Sequence, residues 1–92
     1  MPAETTVQSK RSSVFLAEDS EDDIFLVTRA IESMGLAEVA FVAREGEEAM
    51  QVIRDTTPGA IDLVLLDINL PIRNGFEILV KIRSTPALTN VP

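Results

Sequence analysis

The chain has 92 residues, of which 46% are hydrophobic, and a formal net charge of −7 at pH 7. This length allows one small domain, and the acidic charge argues against direct binding of nucleic acid, whose phosphates would be repelled. Because the sequence contains no Cys and no His, it excludes disulfides and imidazole ligands, and any bound metal is expected to have oxygen ligands, as Mg²⁺, Mn²⁺ and Ca²⁺ do.

Residues 1–12 mix Ser, Thr, Lys and Arg with few apolar residues, which predicts a flexible leader before a domain over 13–92. The leader lacks the apolar core of a signal peptide. No segment approaches the roughly 20 apolar residues that a membrane span requires. We therefore expect a cytoplasmic protein with no membrane contact.

The first predicted unit is a strand followed by a helix. Residues 14–17 form an apolar run typical of a strand buried on both faces. Ser20 followed by Asp23 is close to a capping box and predicts a helix start, and Gly35 is a natural residue to end the helix. Between them, apolar residues at three- and four-residue spacing predict a core stripe of Ile24, Val27, Ile31 and Met34.

Two further strand–helix units follow. Residues 38–43 predict a second strand and 47–55 a second helix, and a third strand is predicted at 61–66. After a loop, Gly75 leads into a third helix that ends near Thr85. This alternation predicts an α/β fold of the doubly wound, flavodoxin-like type, with a parallel sheet in the order 2-1-3 and three β/α units.

Acidic residues follow two strands that this order makes neighbours. Glu18 and Asp19 come after the first strand, and Asp67 after the third. Carboxylates that meet at the carboxyl edge of a sheet repel each other unless a cation binds between them. We therefore predict a Mg²⁺ site with Asp19, Asp67 and a backbone carbonyl of the 67–69 loop as ligands, and Glu18 as an outer-shell candidate.

Simpler interpretations compete with this site. Asp67 taken alone is an ordinary strand-end turn residue. Glu21, Asp22 and Asp23 are interpreted as a solvated first helical turn, which the helix dipole stabilises. Gly75 either enters a helix or keeps the loop beside Asp67 tight.

Several motifs in matching order resemble one family. The stretch from Ser13 to Pro92 resembles the first three β/α units of a response-regulator receiver domain of two-component signalling. The motifs that carry the resemblance are residues 14–20, 44–49, 62–71 and 74–75.

The resemblance implies a role for each site residue. Asp67 would be the phosphoacceptor, taking a phosphoryl group from a histidine kinase or a histidine phosphotransfer protein. Glu18 and Asp19 would organise Mg²⁺, and the backbone carbonyl of Asn69 would be the third protein ligand. Asn74 stands where many members of the family carry Asp.

The family completes its site with a Ser or Thr after a fourth strand and a Lys after a fifth. The sequence ends at Pro92, before a fourth strand, and Lys10 and Lys81 do not substitute by position. We therefore expect a truncated receiver in a phosphorelay. The apolar third strand would then be an exposed edge, which predicts self-association, by edge pairing or exchange of segments between copies, or else marginal folding.

Three functions follow, and the phosphoacceptor, a signalling module rather than a turnover enzyme, is the leading one. The alternative is an interaction module that is not phosphorylated and self-associates through its open edge. The remote alternative is a Mg²⁺-dependent phosphatase of the haloacid-dehalogenase type, or a Toprim enzyme. Asp67-x-Asn69 is only loosely similar to their Asp-x-Asp motif, because Asn69 is neutral. The phosphatase motif also usually ends the first strand, whereas Asp67 ends the third.

Overall fold

The computed structural model describes residues 11–67, 75–88 and 91–92. Within them, strands and helices alternate along the chain and a short 3₁₀ turn follows at Pro86–Leu88. The elements are β1 (Ser12–Ala17), α1 (Glu21–Ser33), β2 (Ala37–Ala43), α2 (Gly46–Asp55), β3 (Leu63–Leu66) and α3 (Gly75–Arg83). No helix of these ranges combines the length and apolar character needed to cross a bilayer.

The three strands form one parallel sheet in the order β2-β1-β3. This confirms the predicted α/β architecture and strand order. Ala17, the last residue of β1, lies opposite Ala43 of β2 and Leu66 of β3. The carboxyl ends of all three strands therefore meet at one edge of the sheet, where the acidic residues follow.

The central strand β1 is the most deeply buried element. Its residues from Val14 to Ala17 are at most 4% exposed, and burial of each large side chain contributes about 1.5–3 kcal/mol. Phe15 and Ala17 belong to the core between the sheet and helices α2 and α3. The other buried members of that core are Ala43, Ala49, Ile53, Ile61, Ile78, Ile82 and Leu88.

All three strands start at a residue other than the predicted one, and β2 differs least, since it begins at Ala37 rather than at Glu38. β1 begins at Ser12, one residue before the predicted start of the domain, and β3 begins at Leu63 rather than at Ile61. Asp62 explains the later start of β3, because its carboxylate accepts a hydrogen bond of 2.7 Å from the backbone N–H of Ser13. Residues 1–10 of the predicted leader lie outside the described residues.

Helix α1 begins at the predicted cap. Its predicted apolar stripe, however, is less buried than expected. The Oγ atom of Ser20 accepts a hydrogen bond of 3.3 Å from the N–H of Asp23. Ile24 is buried, whereas Met34 is 64% exposed, so the prediction of Met34 as a core residue was wrong. Met34 is the C-cap residue, where the chain leaves the helix, and Gly35 then turns with a φ of 77°.

The last described residues lie along the outer side of β3. The carbonyl oxygen of Val91 accepts a hydrogen bond of 2.9 Å from Nη1 of Arg83. The carbonyl oxygen of Pro92 accepts one of 3.0 Å from the N–H of Val64. Together with the buried Leu88, these contacts hold the segment against the sheet.

We predict that Ser20→Ala lowers the free energy of unfolding by about 1 kcal/mol, because the cap of α1 is lost. Urea denaturation followed by circular dichroism measures this change. Ser33→Ala is the matched control at the exposed end of the same helix, where the Ser33 hydroxyl donates to the carbonyl of Ala30. Equal effects of the two substitutions would contradict a capping role for Ser20.

Candidate functional site

The candidate site begins where the backbone pairing of the sheet ends. The N–H of Asp67 donates to the carbonyl of Ala17, at 2.9 Å, and the N–H of Glu18 donates to the carbonyl of Ala43, also at 2.9 Å. Each of the two acidic residues thus continues the pairing of its own strand by one step. The geometry of the sheet therefore fixes the backbone positions of Glu18 and Asp67.

Three carboxylates converge at this edge. Glu18, Asp19 and Asp67 each offer one oxygen, and these three oxygens all lie within 4.8 Å of one another. Glu18 and Asp67 are half-buried and Asp19 is exposed. The structure therefore brings together the three predicted carboxylates, while Asn69 and Asn74 lie outside the described residues.

The carboxylates border a crevice of about 490 Å³. Apolar side chains of β1, β3 and α1 form much of its wall, so charges there are screened less than they would be in bulk water. The lining residues are Leu16, Ala17, Glu18, Asp23, Val27, Leu65, Leu66 and Asp67.

The environment of Glu18 opposes its negative charge. Burial raises the pKa of Glu18 above 4.5, and the charges of Asp67, Asp23 and Asp19 raise it further. The N–H of Ser20, 3.3 Å from Oε2 of Glu18, acts in the opposite direction and lowers the pKa. A bound proton or cation would relieve the repulsion within the cluster.

The donor set fits a hard divalent cation. All three converging groups are carboxylates, which suit Mg²⁺ better than softer metals. The three oxygens lie within 4.8 Å of one another, so one cation placed among them would be close to all three carboxylates.

The sequence did not predict the ion pair between Arg44 and Glu21. Nε and Nη2 of Arg44 donate to the carboxylate of Glu21, and the N–H of Arg44 donates to Glu48 at 2.6 Å. The hydrogen bond from Arg44 lowers the pKa of Glu21. Glu21 does lie in the exposed first turn of α1, as interpreted, but the sequence did not indicate its pairing with Arg44, which is 23 positions further along the chain.

Comparison with known families agrees with the fold. Residues 14–92 match the response regulator receiver domain family. This chain belongs to that family. Asp67, Glu18 and Asp19 all lie within the matched part of this receiver, as do the strands that position them.

Individual relatives support the same assignment. The receiver is 31% identical to response regulator Rcp1 of Synechocystis sp. over 84 residues, 86% of this chain and 56% of Rcp1. It is 33% identical to the two-component response regulator ORR41 of Oryza sativa subsp. japonica over 82 residues, 89% of this chain and 64% of ORR41. The chain thus spans less than two thirds of either relative.

A solved structure is similar over most of the chain. The crystal structure of the phosphorylated cyanobacterial phytochrome response regulator RcpA superposes with a TM-score of 0.76 at 39% identity. The match covers 90% of this receiver and 62% of RcpA. The fold of the described residues is therefore that of a receiver domain.

We predict that Glu18→Gln raises the melting temperature of the receiver at pH 7 without divalent metal, because the cluster then loses one unfavourable charge. The raised pKa of Glu18 sets the sign of the pH dependence. A protonated Glu18 stabilises the fold at low pH, and this contribution is lost as the pH rises through its folded-state pKa. The advantage of the variant should therefore shrink as the pH falls towards 4.5.

Thermal melts between pH 4 and pH 7 measure this difference. Glu38→Gln is the matched control, since Glu38 is exposed on β2 and its loss changes the net charge equally. A variant at Glu18 that melts at or below the wild-type temperature at pH 7 would overturn the prediction.

Proposed function

We propose that this receiver accepts a phosphoryl group on Asp67 from the phosphohistidine of a histidine kinase or histidine phosphotransfer protein. We further propose that Mg²⁺ assists, with Asp19, Asp67 and the Asn69 carbonyl as ligands and Glu18 in the outer shell. The convergence of three carboxylates within 4.8 Å at the strand ends is the observation that carries the proposal. Membership of the receiver family supports it.

The transfer is a displacement at phosphorus. A carboxylate oxygen of Asp67 attacks, the new O–P bond forms as the N–P bond breaks, and the electron pair of that bond returns to the imidazole nitrogen. Bound Mg²⁺ would neutralise charge on the transferred oxygens, which is the main need of phosphoryl transfer. Asp67 contributes a nucleophile whose backbone is fixed by its bond to Ala17.

The site residues have different tasks in this scheme. Asp67 is the nucleophile and a metal ligand, whereas Asp19 is exposed and so accessible to a hydrated ion. Glu18 adds negative charge that favours cation binding. The similar structure RcpA is described as phosphorylated, which agrees with acceptor chemistry on this fold.

We also propose that the receiver acts as a signalling module in the cytoplasm and not as a turnover enzyme. In the proposed transfer the phosphoryl group ends on the receiver's own Asp67, so the protein is itself the product. The net charge of −7 disfavours nucleic acid as a direct partner. Output from this segment would therefore pass through protein contacts or through sequence outside it.

We predict that incubation with acetyl phosphate and Mg²⁺ adds the mass of one phosphoryl group, and that Asp67→Asn abolishes the addition. Intact-mass spectrometry measures the product. Asp55→Asn is the matched control, because Asp55 lies at the end of α2 and its substitution should leave the adduct unchanged. EDTA should prevent the reaction if Mg²⁺ is required.

A phosphoryl adduct that persists in the Asp67→Asn protein would show that another residue is modified. Complete absence of the adduct in the wild-type protein, with the fold intact by circular dichroism, would refute the acceptor role. The second outcome would favour the alternative of an interaction module.

We propose in addition that the outer edge of β3 supports self-association. Alternate residues of a parallel strand direct their backbone groups to opposite sides. Asp67 bonds towards β1, whereas the N–H of Val64 points outward and donates to the carbonyl of Pro92, which supports the proposal that this edge can form backbone contacts. Leu63 and Leu65 beside it are half-buried and apolar.

We expect the sedimentation coefficient of the wild-type chain to rise with protein concentration. Leu63→Lys should suppress the rise, because a charge at an edge strand disfavours pairing. Leu36→Lys is the control, since Leu36 is 75% exposed outside β3. A monodisperse monomer at all concentrations would refute self-association.

A further inference from the structure

A second cavity lies between helix α2 and the edge strand β2. Its volume is about 330 Å³, at the lower end of the range for small-ligand sites. Phe41, Val52 and Ala60 supply apolar surface, and polar groups complete the lining. Those polar residues are Gln51, Asp55, Thr56 and Thr57.

A short hydrogen-bond network orients the one acidic group of this cavity. Nε2 of Gln51 donates to Oδ2 of Asp55 at 2.7 Å, and Nη2 of Arg54 donates to Oε1 of Gln51 at 2.8 Å. Arg54 is thereby held on the Gln51 carbonyl, so a neutral amide, rather than a cation, contacts this oxygen of Asp55. The Asp55 carboxylate therefore lines the cavity with an amide rather than a guanidinium on its Oδ2, and a carboxylate favours a cationic group.

The aromatic wall of the cavity adds a second preference. Phe41 is 37% exposed, and cations are attracted to aromatic faces, with guanidinium the commonest partner. The chain already contains one such pair, since the Arg29 guanidinium lies 5.4 Å from the centroid of the Phe25 ring. A guanidinium in the cavity could contact Phe41 and Asp55 together.

The shape of β2 favours a single inserted side chain over an added strand. The pairing of β1 with β2 passes from Val39 directly to Phe41, so Ala40 forms a bulge next to the cavity. Bulges on edge strands disrupt continuous pairing and redirect side chains. An extended strand could therefore not pair continuously past this point, whereas one long side chain could enter from outside.

We propose that this cavity binds an arginine side chain of a partner protein, with the guanidinium on the Asp55 carboxylate and against the Phe41 ring. The apolar stem of the arginine lies on Val52 and Ala60. The guanidinium has five donors in a planar fork that matches a carboxylate, and Thr56 and Thr57 add oxygen acceptors at the rim. The net charge of −7 draws a basic partner to the receiver.

This site is separate from the carboxylate cluster. Thr57 and Ala60 precede β3, whereas Asp67 follows it. Binding at the cavity therefore requires neither Mg²⁺ nor a phosphodonor, and it can be measured whether or not Asp67 accepts phosphate.

The test titrates the ¹⁵N-labelled chain with the peptide acetyl-Gly-Arg-Gly-amide and follows backbone amide signals by NMR, without Mg²⁺. We expect saturable shifts centred on residues 51–57 and 41. The peptide with citrulline in place of arginine has the same shape without the charge, and it should not bind. Asp55→Asn should weaken arginine-peptide binding about fivefold, the scale of an exposed ion pair with a second contact.

Two further variants make the result specific. Phe41→Leu keeps the cavity apolar but removes the aromatic ring, so it should also weaken binding. Asp22→Asn changes the net charge by the same amount as Asp55→Asn, at an exposed residue of α1, and should leave binding unchanged. Equal binding of the citrulline peptide would overturn the proposal. Shifts centred on Glu18, Asp19 and Asp67 would overturn it as well, because they would show attraction to the acidic cluster.

Discussion

The pairing of β1 with strands on both sides is the constraint on which the rest of this receiver depends. A strand with neighbours on both edges and helices near both faces must be apolar where it is covered, and residues from Val14 to Ala17 are at most 4% exposed. Because the three strands are parallel, their carboxyl ends share one edge. The site is a consequence of this arrangement, since Glu18 and Asp67 are simply the next residues after β1 and β3.

The same arrangement brings like charges together, and neighbouring groups offset only part of the resulting repulsion. Neighbouring strand ends bring three carboxylates within 4.8 Å, and burial with mutual repulsion raises the pKa of Glu18. The N–H of Ser20 offsets some of this effect, and the N-terminus of α1 favours nearby negative charge. The guanidinium of Arg44 donates to Glu21. The unfavourable energy that remains is what would make a divalent cation bind.

The two edge strands of the sheet, β2 and β3, differ in the contacts that they favour. At the outer edge of β3, the N–H of Val64 donates to the carbonyl of Pro92. β2 carries a bulge at Ala40, which disfavours strand pairing, and has a cavity beside it that suits a side chain. One edge therefore favours backbone contacts and the other favours contacts through a single side chain.

The sequence by itself determined the order of elements, the parallel sheet and the identity of the three clustered carboxylates. Apolar runs ending in Glu18 and Asp67 are local patterns, and short crossover connections leave few topologies for them. Tertiary structure alone decided the pairing of Arg44 with Glu21, the exposure of Met34 and the cavity beside Phe41. Each of these depends on how distant segments approach in space, which helical spacing and capping motifs do not encode. The later start of β3 has the same origin, because Asp62 bonds to Ser13 across the sheet.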